Sequence, residues 1–178
     1  LRGGTGVDLL DGGAGLDWAS YADSPGVAVS LAMSGPQDTG SAGSDRLIGI
    51  ENLEGSDASD RLTGDAGANH LAGRGGADTL DGGEGADTLS GGAGNDSLLG
   101  DGAAPDSADR ITGGVGADRI LELAAGGAAD TVEGGTGRDT FVLAGLGGGV
   151  ADTILDFEAG AGGDLIDLSI LGPLDGLD

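Results

Sequence analysis

Cysteine and lysine are both absent from this chain of 178 residues. Without cysteine, the protein has neither disulfides nor thiolate ligands for a metal ion. Aromatic side chains are scarce, with one Trp, one Tyr and two Phe, and a single His carries the only imidazole. No apolar run approaches the roughly 18 residues that a membrane-spanning helix needs. These absences exclude a disulfide-stapled scaffold, a zinc site built from sulfur and nitrogen, and a transmembrane helix.

Acidic residues and glycine are present in excess. The chain has 31 Asp and Glu against seven Arg, for a net charge of −24, and 42 of its residues are Gly. A chain of this charge repels nucleic-acid phosphates and anionic membrane surfaces. Glycine at this level is typical of low-complexity chain unless it recurs with a fixed period. The spacing of the glycines therefore decides the fold class.

Glycine and aspartate recur every nine residues. From Gly73 the sequence reads GRGGADTLD, GGEGADTLS and GGAGNDSLL, with Gly at places one and four, Asp at place six and Leu at place eight. The frame extends back to Gly55 and, with insertions, forward to GGTGRDTFV at Gly134, and GGTGVDLLD and GGAGLDWAS open the chain. Leu1 and Arg2 fit places eight and nine of a preceding unit, so we expect the natural chain to continue N-terminally.

The apolar eighth place predicts a short strand at places seven to nine with one inward side chain. Two units then make one flattened coil of 18 residues, and its strands stack in parallel on the neighbouring coils. We therefore predict an all-β fold, a parallel β-roll of nine-residue repeats with an irregular spacer and a closing segment. The predicted divisions are a first repeat block at 1–20, a hairpin-like spacer at 21–54, the main roll at 55–143 and the closing segment at 144–178.

Each turn of pattern G-G-x-G-x-D can form a cradle of oxygen atoms. Residues without a Cβ adopt dihedrals that aim successive carbonyl oxygens inward, and the sixth-place carboxylate adds a charged, potentially bidentate ligand. Calcium takes six to eight oxygen ligands, so a turn one coil away would complete the set and each ion would join two coils. Zinc prefers nitrogen and sulfur, and magnesium demands a tighter octahedron with retained water.

The predicted calcium ligands are the sixth-place residues and the turn glycines, which together would hold about seven ions. The sixth-place candidates are Asp8, Asp17, Asp60, Asn69, Asp78, Asp87, Asp96, Asp109, Asp118, Asp130 and Asp139. The glycine candidates are Gly55, Gly64, Gly73, Gly75, Gly76, Gly82, Gly83, Gly85, Gly91, Gly92, Gly94, Gly113, Gly114, Gly116, Gly134, Gly135 and Gly137. Two turns that are one coil apart lie on the same side of the roll, and their sixth-place residues are predicted to pair. The predicted pairs on the two sides of the roll are Asp60 with Asp78, Asn69 with Asp87, Asp78 with Asp96, Asp96 with Asp118, Asp87 with Asp109, Asp109 with Asp130, and Asp118 with Asp139.

Units such as GGEGADTLS, GGAGNDSLL and GGTGRDTFV resemble the GGxGxDxUx nonapeptides of RTX (hemolysin-type) calcium-binding repeats. The stretches 18–35 and 47–56 look like the spacers between RTX blocks, and 152–169 is similar to the segment that closes the repeat domain of serralysin-type exoproteins. The resemblance implies a calcium β-roll in a protein exported by a type I secretion system, unfolded inside the cell and folded by external calcium. The pattern departs at Asn69, in turn 55–60, and in the irregular turns 100–109 and 122–130.

The function that we expect is calcium-dependent folding and structural support of a secreted protein, whose N-terminal domains and type I secretion machinery would be its partners. A calcium-dependent carbohydrate-binding or adhesion module is the alternative, with a glycan as partner. An enzyme domain is a third possibility. We expect no catalysis in this segment, because no nucleophile and base stand in a recognisable arrangement and the lone His70 lacks an evident partner.

Overall fold

A computed structural model describes residues 1–101, 107–122, 128–143 and 151–169. Parts of the predicted closing segment (144–150 and 170–178) and of the irregular turns (102–106 and 123–127) lie outside the described residues. Within the described part of the chain, no helix is long and apolar enough to cross a membrane. The strands are β1 Leu9–Asp11, β2 Trp18–Ser20, β3 Ala28–Ser30, β4 Gln37–Gly40, β5 Gly43–Ile48, β6 Asn52–Glu54, β7 Arg61–Thr63, β8 His70–Gly75, β9 Thr79–Gly83, β10 Thr88–Ala93, β11 Ser97–Asp101, β12 Arg110–Val115, β13 Arg119–Glu122, β14 Thr131–Thr136, β15 Thr140–Leu143, β16 Thr153–Ile154 and β17 Leu165–Asp167.

Two parallel sheets of seven strands make up the body of the molecule. Their orders are β16-β14-β12-β10-β8-β6-β2 and β17-β15-β13-β11-β9-β7-β3, so from β6 onward consecutive strands alternate between the two sheets. The remaining strands form a three-stranded sheet in the order β1-β5-β4. Each neighbouring pair is in register at equal places of the repeat, as Leu89 pairs with Leu71 on one side and with Ile111 on the other. The predicted all-β parallel roll is confirmed.

Several strands of the main roll are longer than the three residues predicted, whereas β7 has three. In β8, β10, β12 and β14 the extended backbone continues through the first glycines of the next repeat, and each of these strands has six residues. A first-place glycine has no side chain to clash with the stacked coils, so the ladder of backbone hydrogen bonds runs on before the chain turns. The tight turn therefore begins later in each repeat than the sequence pattern indicates.

The core of the main roll is a column of eighth-place side chains that the two sheets contribute alternately, and the buried cluster continues from it into the first 54 residues. Each side chain of the column is at most 2% exposed, which confirms that this place points inward: Leu62, Leu71, Leu80, Leu89, Leu98, Ile111, Ile120, Val132 and Phe141. At the far end, the ring of Phe157 lies 6.1 Å from that of Phe141 and covers the last core residue. One apolar side chain per strand is a narrow core for a protein of this length.

Residues of the predicted spacer continue the roll. β3 pairs in parallel with β7, and β6 pairs in parallel with both β2 and β8, which places Val29 and Leu53 in line with the eighth-place column. The hairpin-like character lies in β4 and β5, which pair antiparallel across Gly40 and Gly43. Strands of the predicted spacer 21–54 therefore belong to both large sheets. The division of the chain into four segments stays a prediction.

Truncation of a core leucine is expected to destabilise the folded protein. Leu80→Ala leaves a cavity between two sheets and should lower the free energy of unfolding by about 2–5 kcal/mol. Leu16→Ala is the matched control, because Leu16 is 79% exposed and its loss should change stability by less than about 0.5 kcal/mol. Denaturant titration with calcium present measures both changes. Equal effects of the two substitutions would contradict the inward assignment of the eighth place.

Candidate calcium sites

The sixth-place residues of one face stack directly on one another. In every predicted pair the backbone N–H of the earlier residue donates a hydrogen bond to Oδ1 of the later one, over 2.7–2.9 Å. The structure therefore brings together all seven pairs: Asp60 with Asp78, Asn69 with Asp87, Asp78 with Asp96, Asp87 with Asp109, Asp96 with Asp118, Asp109 with Asp130, and Asp118 with Asp139.

We call these stacked sixth-place residues the carboxylate ladder. Each hydrogen bond of the ladder uses one oxygen of a carboxylate, so an Asp that the sequence predicts as a bidentate metal ligand has a single oxygen left for a metal. For Asp78, Asp96 and Asp118 that atom, Oδ2, is shielded from solvent and has no hydrogen-bond donor among the described residues. The three residues are 1–3% exposed. A shielded carboxylate oxygen without a partner costs free energy. These atoms fit a site for a cation.

Glycine keeps open the space beside these oxygens. A Cβ added at Gly113 would lie 2.5 Å from Oδ2 of Asp118 and 2.5 Å from the carbonyl oxygen of Gly134 on the next coil. At the fourth place, Gly94 has a φ of 137°, and a Cβ there would overlap the carbonyl oxygen of Gly76. The turn thus presents carbonyl and carboxylate oxygens around a gap that any side chain would fill.

Gly75 does not share this role. It lies at the third place of its repeat, and a Cβ added there would come no closer than 3.7 Å to any neighbouring atom. Its φ is not positive. Gly75 and the other glycine candidates stay predictions as metal ligands through their carbonyl oxygens.

Burial raises the pKa of the stacked carboxyl groups. Desolvation is the largest cause, and it raises the pKa of Asp78 to about 7 and that of Asp118 to about 6, although the backbone N–H of the preceding coil acts against it. The pKa values of Asp96 and Asp139 are raised for the same reason. Without a cation, the ionised form of these four carboxyl groups is therefore less favourable than that of an exposed Asp.

The donor set suits a hard cation with oxygen ligands. Within the described ranges no three His, Cys, Asp or Glu side chains come together as a metal cluster. The turns offer carbonyl oxygens with one carboxylate from each stacked turn, and an ion with a large and adaptable coordination sphere accepts such a set. Calcium would be held between stacked turns by Oδ2 of Asp78, Asp96 and Asp118 and by the carbonyl oxygens of the flanking glycines.

In the first two turns of the main roll, protein groups form hydrogen bonds with both polar atoms of the sixth-place side chain. Both oxygens of Asp60 accept hydrogen bonds, Oδ1 from the N–H of Val27 over 2.7 Å and Oδ2 from the N–H of Ser56 over 2.5 Å. Asn69 donates from Nδ2 to the carbonyl of Glu51 and accepts the N–H of Asp65. These two predicted ligands already have donors at the positions where Asp78 and Asp96 have none.

Arg74 adds a fixed positive charge to this end of the roll. Its guanidinium bonds Glu54 over 2.8 Å and Asp57 over 3.1 Å. Arg74 stands at the second place of its repeat, which is Gly in most of the other repeats. Its backbone φ of 81° is the one positive φ among the described residues other than glycine. The pair of turns 55–60 and 73–78 is thus bridged by an arginine.

Several acidic residues that are not among the predicted metal ligands complete the ladder. Asp152 and Asp164 accept the N–H groups of Asp130 and Asp139, so the closing segment supplies the last two steps. In the first block, Asp8 donates its N–H to Asp45, and Asp17 donates its N–H to Glu51. Asp45 lies two places after Gly43, as a sixth-place Asp lies two places after the glycine at place four, and Glu51 likewise lies two places after Gly49.

The sequence was also compared with models of known protein families, and one family matches it. The model of the RTX calcium-binding nonapeptide repeat, in four copies, matches residues 1–19, 54–89, 72–104, 106–121 and 122–144, which is more than half of the chain. The chain belongs to the RTX repeat family. Its RTX repeats are calcium-binding repeats, and the resemblance seen in the sequence is confirmed. No curated protein matches the chain.

Removing one RTX ladder carboxylate is expected to weaken calcium binding. Asp96→Asn keeps the acceptor for the N–H of Asp78 but replaces Oδ2 by an amide that repels a cation. We expect the calcium concentration at half-saturation to rise on the order of tenfold, which corresponds to about 1.4 kcal/mol. Asp81→Asn, at a ninth place, is the control and should leave the midpoint unchanged in a calorimetric titration. Equal midpoints of the two variants would contradict the ladder site.

Calcium-free protein should respond to pH through Asp78. Its carboxyl pKa is raised in the folded state to about 7, above the ordinary value of about 3.9 in unfolded chain. The folded state then binds more protons, so folding without calcium is most favourable below about pH 4 and becomes less favourable as the pH rises through about 7, towards the neutral pH at which we expect the calcium-free chain to be disordered. Asp78→Asn should flatten this dependence in chelator-treated protein followed by circular dichroism. A calcium-free stability that rises between pH 4 and 7 would contradict the raised pKa.

Proposed function

We propose that this chain is a calcium-dependent folding module of a secreted protein. In the proposal it is unfolded where calcium is scarce, folds when it binds about seven calcium ions outside the cell, and then supports the protein to which it belongs. The observation that carries the proposal is the row of shielded Oδ2 atoms on Asp78, Asp96 and Asp118 without a donor among the described residues.

The charge of the chain supports the coupling of calcium to folding. Stacking one coil on the next brings carboxylates together in a chain of net charge −24, and the apolar column between the sheets is one residue wide. About seven calcium ions would neutralise roughly 14 of these charges and join neighbouring coils. A ligand that binds only the folded state stabilises it by mass action, so binding and folding would be one transition.

Secretion belongs to the same proposal. RTX repeats occur in secreted proteins, and the family resemblance implies type I export of an unfolded chain. Low calcium inside the cell would keep this acidic, glycine-rich chain unfolded and able to pass through an export channel. Its partners would be the type I machinery and N-terminal domains of the same protein. We assign it a structural role, and the carbohydrate-binding or adhesion alternative stays a prediction from the sequence.

Circular dichroism of the isolated chain tests the proposal. In chelator we expect a disordered spectrum, and about 10 mM calcium, above the weak range of extracellular sites, should convert it to a β spectrum with a cooperative melt. The same concentration of magnesium should not, because magnesium demands tight octahedral geometry. A chelated protein that keeps its β spectrum and its melt would remove calcium from the folding mechanism.

A further inference from the structure

Residues 40–48 form a nine-residue unit outside the family match. They read GSAGSDRLI, with Gly at places one and four, Asp at place six and Leu at place eight. The family match ends at residue 19 and resumes at residue 54. The unit begins 37 residues after Gly3, which is not a multiple of nine, so the spacing that reveals the other repeats does not reveal this one.

This unit stacks in register on the first repeat of the chain. β5 pairs in parallel with β1 so that Leu10 lies opposite Leu47, the two eighth-place residues of their units. Both side chains are buried. The turns join as well, because Ser44 N–H donates to the carbonyl of Gly6 over 2.7 Å. Turns 3–8 and 40–45 are therefore neighbours on one edge of the molecule.

The two turns reproduce the geometry of the ladder sites. The N–H of Asp8 donates to Oδ1 of Asp45 over 3.2 Å, and Oδ2 of Asp8 is shielded from solvent with no donor among the described residues. A Cβ on Gly3 would lie 2.9 Å from that Oδ2 atom. Gly43 has a φ of 121°, and a Cβ there would overlap the carbonyl oxygen of Gly6, as one on Gly94 would overlap Gly76.

Asp45 is held in place by groups from the inserted segment. It is fully buried, and its Oδ2 accepts hydrogen bonds from the hydroxyl of Tyr21 over 3.2 Å and from that of Thr39 over 3.4 Å. Both oxygens of Asp45 thus accept hydrogen bonds from protein groups, and Oδ2 of Asp8 is left without a donor, with no cationic side chain bonded to either carboxylate in the described contacts. Asp60, by contrast, has donors on both oxygens.

We propose that turns 3–8 and 40–45 hold a calcium ion between them, with Oδ2 of Asp8 and the turn carbonyls as ligands and Asp45 as the residue that positions Asp8. The site is additional to the seven ladder pairs. It would anchor the inserted segment 21–39 to the first repeat, since Tyr21 and Thr39 both bond Asp45. This inference rests on the proposed calcium-binding function.

Terbium luminescence tests the site directly. Tb³⁺ is a hard cation that takes oxygen ligands as calcium does, and a nearby phenol ring sensitises its emission. Tyr21 is the one Tyr of the chain, and its hydroxyl contacts Asp45. In a Trp18→Phe background, which removes the one Trp, we expect sensitised emission that excess calcium displaces. Asp8→Asn should abolish it, and Asp38→Asn, on the exposed face of the same hairpin, should retain it.

Calorimetry on the same proteins separates this site from the proposed function. If the chain binds calcium but gives no Tyr21-sensitised emission, or if Asp8→Asn keeps the emission, the additional site is wrong and the ladder sites stand. If no calcium binds, the proposed function itself fails. Should Asp8→Asn not fold, Gd³⁺ added to the Trp18→Phe protein decides, because it must broaden the Tyr21 ring signals in an NMR spectrum. Unbroadened Tyr21 signals would overturn the site.

Discussion

The stacking of shielded carboxylates is the constraint on which this structure depends. Each coil places a sixth-place Asp on the backbone N–H of the coil before it, and in Asp78, Asp96 and Asp118 this leaves one oxygen without a donor among the described residues. Burial raises the pKa of these groups, so the ionised state is costly without a cation. In the proposed function, calcium bound between stacked turns would replace this repulsion by a contact that joins the coils.

The composition follows from that constraint. Carbonyl oxygens must approach the carboxylate closely, and a side chain at Gly113 or Gly94 would occupy the space they need. The same repeats need one apolar residue each, because two sheets close over a single column in which Leu80 and Leu98 are fully buried. In the proposed function, bound ions would supply much of the stability that a wide core gives other proteins, which would allow a chain rich in Gly and Asp and poor in aromatic residues to have a unique fold.

The period of nine was enough to predict the parallel roll, the inward eighth place and the seven stacked pairs of sixth-place residues. It failed where the chain leaves the period. The unit at 40–48 is displaced by the inserted segment, so Asp45 escaped notice although its turn stacks on Asp8. Nor could the pattern show that Asp60 is satisfied by Val27 and Ser56, because those hydrogen bonds depend on how the inserted segment folds back on the roll.

Crystallography of the calcium-loaded protein tests the central claim most directly. Anomalous scattering distinguishes calcium from water, and the account predicts peaks between stacked turns at about 2.3–2.6 Å from Oδ2 of Asp78, Asp96 and Asp118. Gaps between these turns that contain only water, in crystals grown with millimolar calcium, would contradict the claim that calcium joins the coils.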